Sequence, residues 1–229
     1  AIREHMIFVG GVKKEKSIVI KESIDLENYR LRKIDRVKTR QKLGLKDDNQ
    51  LIIFHGFIDR FKRVETLLYA APYVLKEHKN ARFIIVGDGP ALNELKEISK
   101  KLSIAHNVIF TGWIPENELL DYVLLSNIAV GIRGKNFANN FVVTTGFLQD
   151  LALGKAALAP DLATMSSVIA DNYSGLIYKT QDHEDLAKKI NFLLHNPNKI
   201  KELSEHSRDL IKSYDTKVVA SDIANVLLR

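Results

Sequence analysis

Four short segments carry the residues best suited to chemistry. Gly56-Phe57-Ile58-Asp59-Arg60-Phe61-Lys62-Arg63 sets three cations, Arg60, Lys62 and Arg63, directly ahead of a helical pattern that begins at Val64. The positive end of a helix dipole and three side-chain charges would act on an anion in the same sense, as a diphosphate clamp requires; solvated loop cations would give the same composition. In Gly87-Asp88-Gly89-Pro90 two glycines can bring backbone close to a ligand in front of helix amides. A tight strand-to-helix turn with Pro at the first helical position accounts for it as well. The full G-x-G-x-x-G spacing is absent, so a NAD site is not indicated. Thr144-Thr145-Gly146 stands near a helix start, with Gln149 one turn on and Gly154-Lys155 closing the helix. Hydroxyls and free amides there suit phosphate or sugar oxygens, and they equally suit ordinary capping with a Gly stop. At Gly112-Trp113 the indole can stack on a base, line a pocket, or pack in a core or domain interface. His55 ends a strand and reads as a core residue. The seven histidines are scattered, none forms a metal-like pair on one helical face, and no metal site is assigned.

These segments need a frame that gathers them. Short apolar runs recur at 17–20, 51–55, 82–86, 107–111, 128–132, 155–159 and 175–178, each of strand length. Between them apolar residues fall at helical spacing, as in Val64, Leu67, Leu68, Ala71, Val74 and Leu75, or Leu92, Leu95, Ile98 and Leu102. Strands apolar throughout, alternating with amphipathic helices, imply a parallel sheet covered on both faces. The expected fold is α/β: a Rossmann-like doubly wound parallel sheet. The last third carries successive helical patterns over 182–195, 197–213 and 216–228, which predict a helical carboxyl terminus. Ligands of such a sheet collect beyond the carboxyl ends of the strands, and residues 56–63, 87–90, 112–115 and 133–146 all follow strands there.

Composition narrows the possibilities further. The 229 residues contain no cysteine, which excludes disulfides, thiolate metal sites and Cys nucleophiles and gives no sign of an oxidising compartment. A cytoplasmic setting is the expectation. Apolar runs such as 51–54 and 83–86 fall far short of the ~20 residues a membrane span needs. The net charge of +6 suggests an anionic partner: phosphate groups, an acidic membrane surface or, less in keeping with basic residues interspersed among Glu and Asp, nucleic acid.

Taken in order, the segments resemble the carboxyl-terminal domain of the group 1 (family 4) retaining glycosyltransferases with the two-domain GT-B fold. Ser23-Ile24-Asp25 is similar to the family's hinge; Leu51 to Gly56, Phe83 to Pro90, Val108 to Gly112, Gly154-Lys155 and Gly175-Leu176 follow in the family's order. The resemblance implies that residues 1–35 are the tail of an acceptor domain plus the hinge, and 36–229 a nucleotide-sugar-binding domain. It implies a UDP- or GDP-sugar donor, no other cofactor, and an amino-terminal acceptor domain outside this chain. It also implies candidate donor contacts at Gly56, Arg60, Lys62, Arg63, Gly87, Gly89, Gly112, Trp113, Thr144, Thr145, Gly146 and Gln149. Peripheral contact with anionic membrane is compatible with the charge, and no nucleic acid partner is expected.

The chain departs from the family at the charged positions. Where the family has an Arg after the first glycine, Phe57 stands, although Lys62 matches the family's Lys; Arg60 or Arg63 is the expected replacement. Of two glutamates separated by seven residues, the second is Gln149 and the first falls on Phe141, without the usual Gly-Phe-Gly; Asn136, Asn139 or Asn140 is left to approach the sugar. Gln149 can still bond a ribose, through one acceptor oxygen and no charge. The alternative is therefore a non-catalytic glycosyltransferase-like interaction module. The start Ala-Ile-Arg-Glu-His, without Met or signal region, gives the expectation of a fragment of a longer protein.

Overall fold

The computed structural model describes residues 2–30 and 32–228. A short helix α1 (Ile2–Phe8) is followed by an extended stretch, then α2 (Glu27–Arg30) and α3 (Arg36–Lys42). The α/β core runs β1 (Gln50–His55), α4 (Glu65–Glu77), β2 (Ala81–Val86), α5 (Leu92–Lys101), β3 (Val108–Gly112), α6 (Glu116–Leu125), β4 (Ile128–Val130), α7 (Thr145–Ala152), β5 (Ala156–Pro160) and β6 (Leu176–Tyr178). Three helices close the chain: α8 (His183–His195), α9 (Pro197–Ile211) and α10 (Thr216–Leu227).

The six strands form one parallel sheet in the order β3-β2-β1-β4-β5-β6, the doubly wound arrangement expected of the sequence. Alternate residues of each strand point to opposite faces, which is why both halves of every strand are apolar. Ile52, Phe54, Phe83, Ile85 and Leu158 pack with α4, α5 and α8 in one core layer. Leu51, Ile53, Ile84 and Ala129 meet α6 on the other, and Ala157 and Ala159 meet α7. Leu203 and Ile211 let α9 reach both layers.

The strand expected at 17–20 is not formed. Ile18, Val19 and Ile20 are exposed and pair with no neighbouring strand, so the apolar run lacks the partner that would make it a strand. What ties this region down lies just after it: Ile24 N donates to Tyr214 O at 2.9 Å and Thr216 N to Ile24 O at 3.1 Å, pinning the expected hinge to the start of α10.

The strand order reverses between β1 and β4. There the two connections leave in opposite directions and open a crevice beyond the carboxyl ends, so residues 56–64 and 131–144 become neighbours.

Candidate functional site

The first wall of the crevice is the loop after β1. Asp59 Oδ1 accepts from Lys62 N at 2.8 Å, a turn that bends the loop back on itself. Lys62 folds over Gly56, its Nζ only 3.1 Å from the point a Cβ on that glycine would occupy. Half-burial, and secondarily the charge of Arg133, push the Lys62 pKa below the ordinary lysine range; Asp59 opposes the shift. The two candidates beside it are committed elsewhere. Arg60 is largely exposed and pairs with Glu94 at 3.1 Å, and Arg63 turns to Glu65 at 3.2 Å.

The second wall follows β4 and supplies a residue that sequence reading did not single out. Arg133 is half-buried, and burial pushes its pKa down against the pull of Asp59. Its Nη1 donates to Asn139 Oδ1 at 2.8 Å, while Nε is buried with no partner. Asn139 is itself buried: its Nδ2 donates to Gly134 O at 2.8 Å and Phe61 O at 3.3 Å, and Gly134 N donates to Phe61 O at 3.1 Å. The two walls are thus stitched together, with Arg133 close enough for its charge to lower the Lys62 pKa. Nothing in sequence spacing links residues 62 and 133; the strand-order reversal does.

Gly87 and Gly89 serve the backbone around them. A Cβ on Gly87 (φ +134°) would stand 2.0 Å from Gly56 O, and one on Gly89 (φ +153°) 2.2 Å from Ile58 O. The two loops therefore cross at main-chain contact, sealed by Ile58 N donating to Asp88 O at 2.9 Å and Ala91 N to Ile58 O at 3.2 Å. That accounts for both glycines through the shape of the edge.

Helix α7 starts at the same edge. The Thr144 hydroxyl caps it, accepting from Phe147 N at 3.2 Å, with Thr145 exposed beside it. Gly146 rides on the His55 ring, since a Cβ there would meet Cε1 at 2.8 Å. His55 is a core residue, as its strand-end position suggested: Nε2 and Asp150 Oδ1, both buried, bond at 2.8 Å. One turn into α7, Gln149 Nε2 donates to Glu116 Oε1 at 3.0 Å and to the Tyr29 hydroxyl at 3.2 Å. A carboxylate therefore stands at this position after all, contributed by the start of α6. Trp113, after Gly112 at the end of β3, is 76% exposed.

The remaining loop candidates have structural partners. Asn136 Oδ1 accepts from Asn139 N at 2.8 Å, the Asn140 carbonyl accepts from the Thr164 hydroxyl, and Phe141 packs on Phe137 at 5.0 Å between ring centroids. Phe57 is exposed. Among the described residues no helix is long and apolar enough to cross a membrane.

Two cations at a switch-point crevice, a capped helix start and a carboxylate held by an amide form a set that can grip a diphosphate with a diol nearby. The profile of the family described as "Glycosyl transferases group 1" matches residues 35–210. The alpha-monoglucosyldiacylglycerol synthase of Streptococcus pneumoniae is 30% identical over 184 residues, covering 78% of this chain and 40% of the relative. D-inositol 3-phosphate glycosyltransferase 2 of Catenulispora acidiphila is 24% identical over 219 residues, covering 92% and 50%. The chain thus spans about half, or less, of the length of these curated relatives. Among solved structures, HepE of Anabaena in complex with UDP superposes with a TM-score of 0.87 at 18% identity, over 98% of this chain and 60% of that one. The C-terminal domain of the group 1 glycosyl transferase LpcC from Francisella tularensis gives 0.72 at 19% identity, over 84% and 99%.

Proposed function

The chain belongs to the group 1 glycosyl transferases, and from that premise we propose that it is the donor-binding half of an enzyme that transfers a sugar, with retention, from a nucleoside-diphosphate sugar. The observation that carries the proposal is the pair Lys62 and Arg133: two half-buried cations on opposite walls of the β1/β4 crevice, one with an orphaned Nε. Burying like charges side by side is costly, and a diphosphate between them offsets that cost. In this reading Arg133 takes the part that an Arg in place of Phe57 would have had, and Arg60 and Arg63 stay with their own carboxylates.

As the bond between sugar and diphosphate breaks, negative charge builds on the leaving phosphate; Lys62 and Arg133 stabilise it there, with the start of α7 adding its dipole. Glu116, held by Gln149, accepts from the ribose hydroxyls, and Trp113 covers the base. A uridine nucleotide is the first ligand to test, because HepE, similar in fold, is described with UDP. The acceptor side belongs to sequence that the longer relatives have beyond the matched region.

Calorimetric titration of the chain with UDP, UDP-glucose and GDP tests the reading. Saturable binding that Lys62→Ala removes is expected. Silence toward all three at millimolar ligand would refute it in favour of a non-catalytic interaction module. Retention is read separately, from the anomeric configuration of the product made by the full-length protein.

A further inference from the structure

The edge of the sheet opposite the crevice holds a second cluster of chemically able side chains. Helix α4 leaves the carboxyl end of β1 and so ends at the other edge, where α8 also ends beside it. Glu77 is the last residue of α4, His78 its C-cap, and His195 the last residue of α8. The two imidazole rings lie 4.4 Å apart between centroids, and His195 Nδ1 is 3.8 Å from Glu77 Oε2. One ligand atom from each of the three residues falls within 4.8 Å of the others.

Two unmet polar atoms point to something missing at this spot. Among the described residues three buried side-chain N or O atoms have no partner: Arg133 Nε in the crevice, and here His78 Nε2 and Asn191 Oδ1. His78 is only 8% exposed. Asn191 stands one helical turn before His195, and its Nδ2 donates to Glu77 Oε1 at 2.7 Å, which fixes the carboxylate and leaves Oε2 facing the imidazoles. Buried polar atoms are nearly always satisfied, so two orphans in one cluster mark a site for an additional group.

We propose that Glu77, His78 and His195 bind a divalent transition-metal ion, with Zn2+ as the reference ion. Two imidazoles and one carboxylate suit Zn2+ and its neighbours, whereas Mg2+ and Ca2+ take oxygen ligands. Donor atoms around tetrahedral Zn2+ lie about 3.3 to 3.5 Å apart, and rotation of the exposed His195 side chain toward the held carboxylate closes the remaining gap. Three protein ligands leave a fourth position for a water, which can donate a hydrogen bond to Asn191 Oδ1. A cation is also favoured by position, since the free carbonyls at the ends of α4 and α8 carry partial negative charge. The ion would fasten α8, and with it the closing helices, to the body of the sheet, independently of the nucleotide crevice.

The test is titration of the metal-stripped chain with ZnCl2, followed by calorimetry and thermal melting. One equivalent should bind, with a melting temperature raised by about 5 °C or more at a hundredfold excess over Kd and no response to MgCl2. His195→Ala removes an exposed ligand at a helix end without touching the core; it should weaken binding by more than about tenfold and abolish the thermal shift. Glu77→Gln, which can keep the contact with Asn191, should weaken binding similarly. Equal Zn2+ binding by wild type and His195→Ala, or no saturable binding at all, would overturn the assignment.

Discussion

Replacing Arg133 by Met tests the pairing on which the donor site rests. The variant keeps an unbranched stem against the crevice wall and removes the charge and the orphaned Nε. A hydrogen bond to a charged group contributes about 1.5 to 3 kcal/mol, so loss of one guanidinium–phosphate contact should raise the Kd for UDP about 10- to 150-fold. The same loss should be absent for uridine, which brings no phosphate. Trp113, the single tryptophan, is exposed just beyond the carboxyl end of β3, on the ligand side of the sheet, and its fluorescence gives a readout beside calorimetry.

The pH dependence carries a second, independent signature. Anion binding favours protonated Lys62, so affinity falls as pH rises through the Lys62 pKa of the free protein. That pKa lies below the ordinary lysine range, first by burial and then by Arg133. Removing Arg133 cancels only the second cause, so the fall should move to higher pH in Arg133→Met while remaining short of an exposed lysine's. The ligand's own ionisation is common to both proteins and cancels in the comparison. An unchanged Kd for UDP, or an equal loss for uridine and UDP, would refute the clamp; an unmoved pH profile would show that Arg133 does not act on Lys62 in the free protein.

Three other perturbations follow from the geometry. Gln149→Glu restores the residue the family carries but sets a carboxylate 3.0 Å from Glu116; it should lower stability by about 1 kcal/mol, limited by the exposure of Glu116, with melting recovering as pH falls through the carboxylate range. His55→Leu leaves Asp150 buried without its partner and should cost about 3 to 5 kcal/mol in denaturant unfolding, whereas His55→Leu combined with Asp150→Leu should recover much of it. Gly87→Ala forces a Cβ to within 2.0 Å of Gly56 O at a left-handed φ, and a loss of more than about 3 kcal/mol, or failure to fold, is expected in thermal melts.

The frame of the protein was legible because burial on both faces writes itself into every strand. Runs such as Leu51 to Phe54 and Phe83 to Val86 are apolar at all positions and alternate with amphipathic helices, as a covered parallel sheet requires, and six of the seven expected strands form. The seventh, at 17–20, has the same composition but no ladder to join, and a partner is something composition does not encode. At the crevice, Lys62 was visible as a loop cation ahead of a helix. Arg133 was not, because its meaning depends on β4 lying beside β1 across 70 residues of chain. The histidines at 78 and 195 were likewise unreadable as a pair, since only the packing of α4 on α8 brings them together.

Read along the chain, Phe57 and Gln149 look like lost charges, and they are what raises the alternative of a non-catalytic module. In space the same chain offers a guanidinium from the β4 loop across the crevice from Lys62, and the Glu116 carboxylate bonded to Gln149. Electrostatic recognition depends on where a charge stands relative to the ligand and on how well it is held, and the residue number that supplies it is immaterial. The hydrogen bonds of Asn139 to Gly134 O and Phe61 O, and of Arg133 to Asn139, are the sort of support that a relocated charge needs to stay in place. Asn139→Ala should therefore weaken UDP binding less than Arg133→Met but in the same direction, restricted to phosphate-bearing ligands. A variant that lost uridine and UDP together would mean that Asn139 only holds the loop.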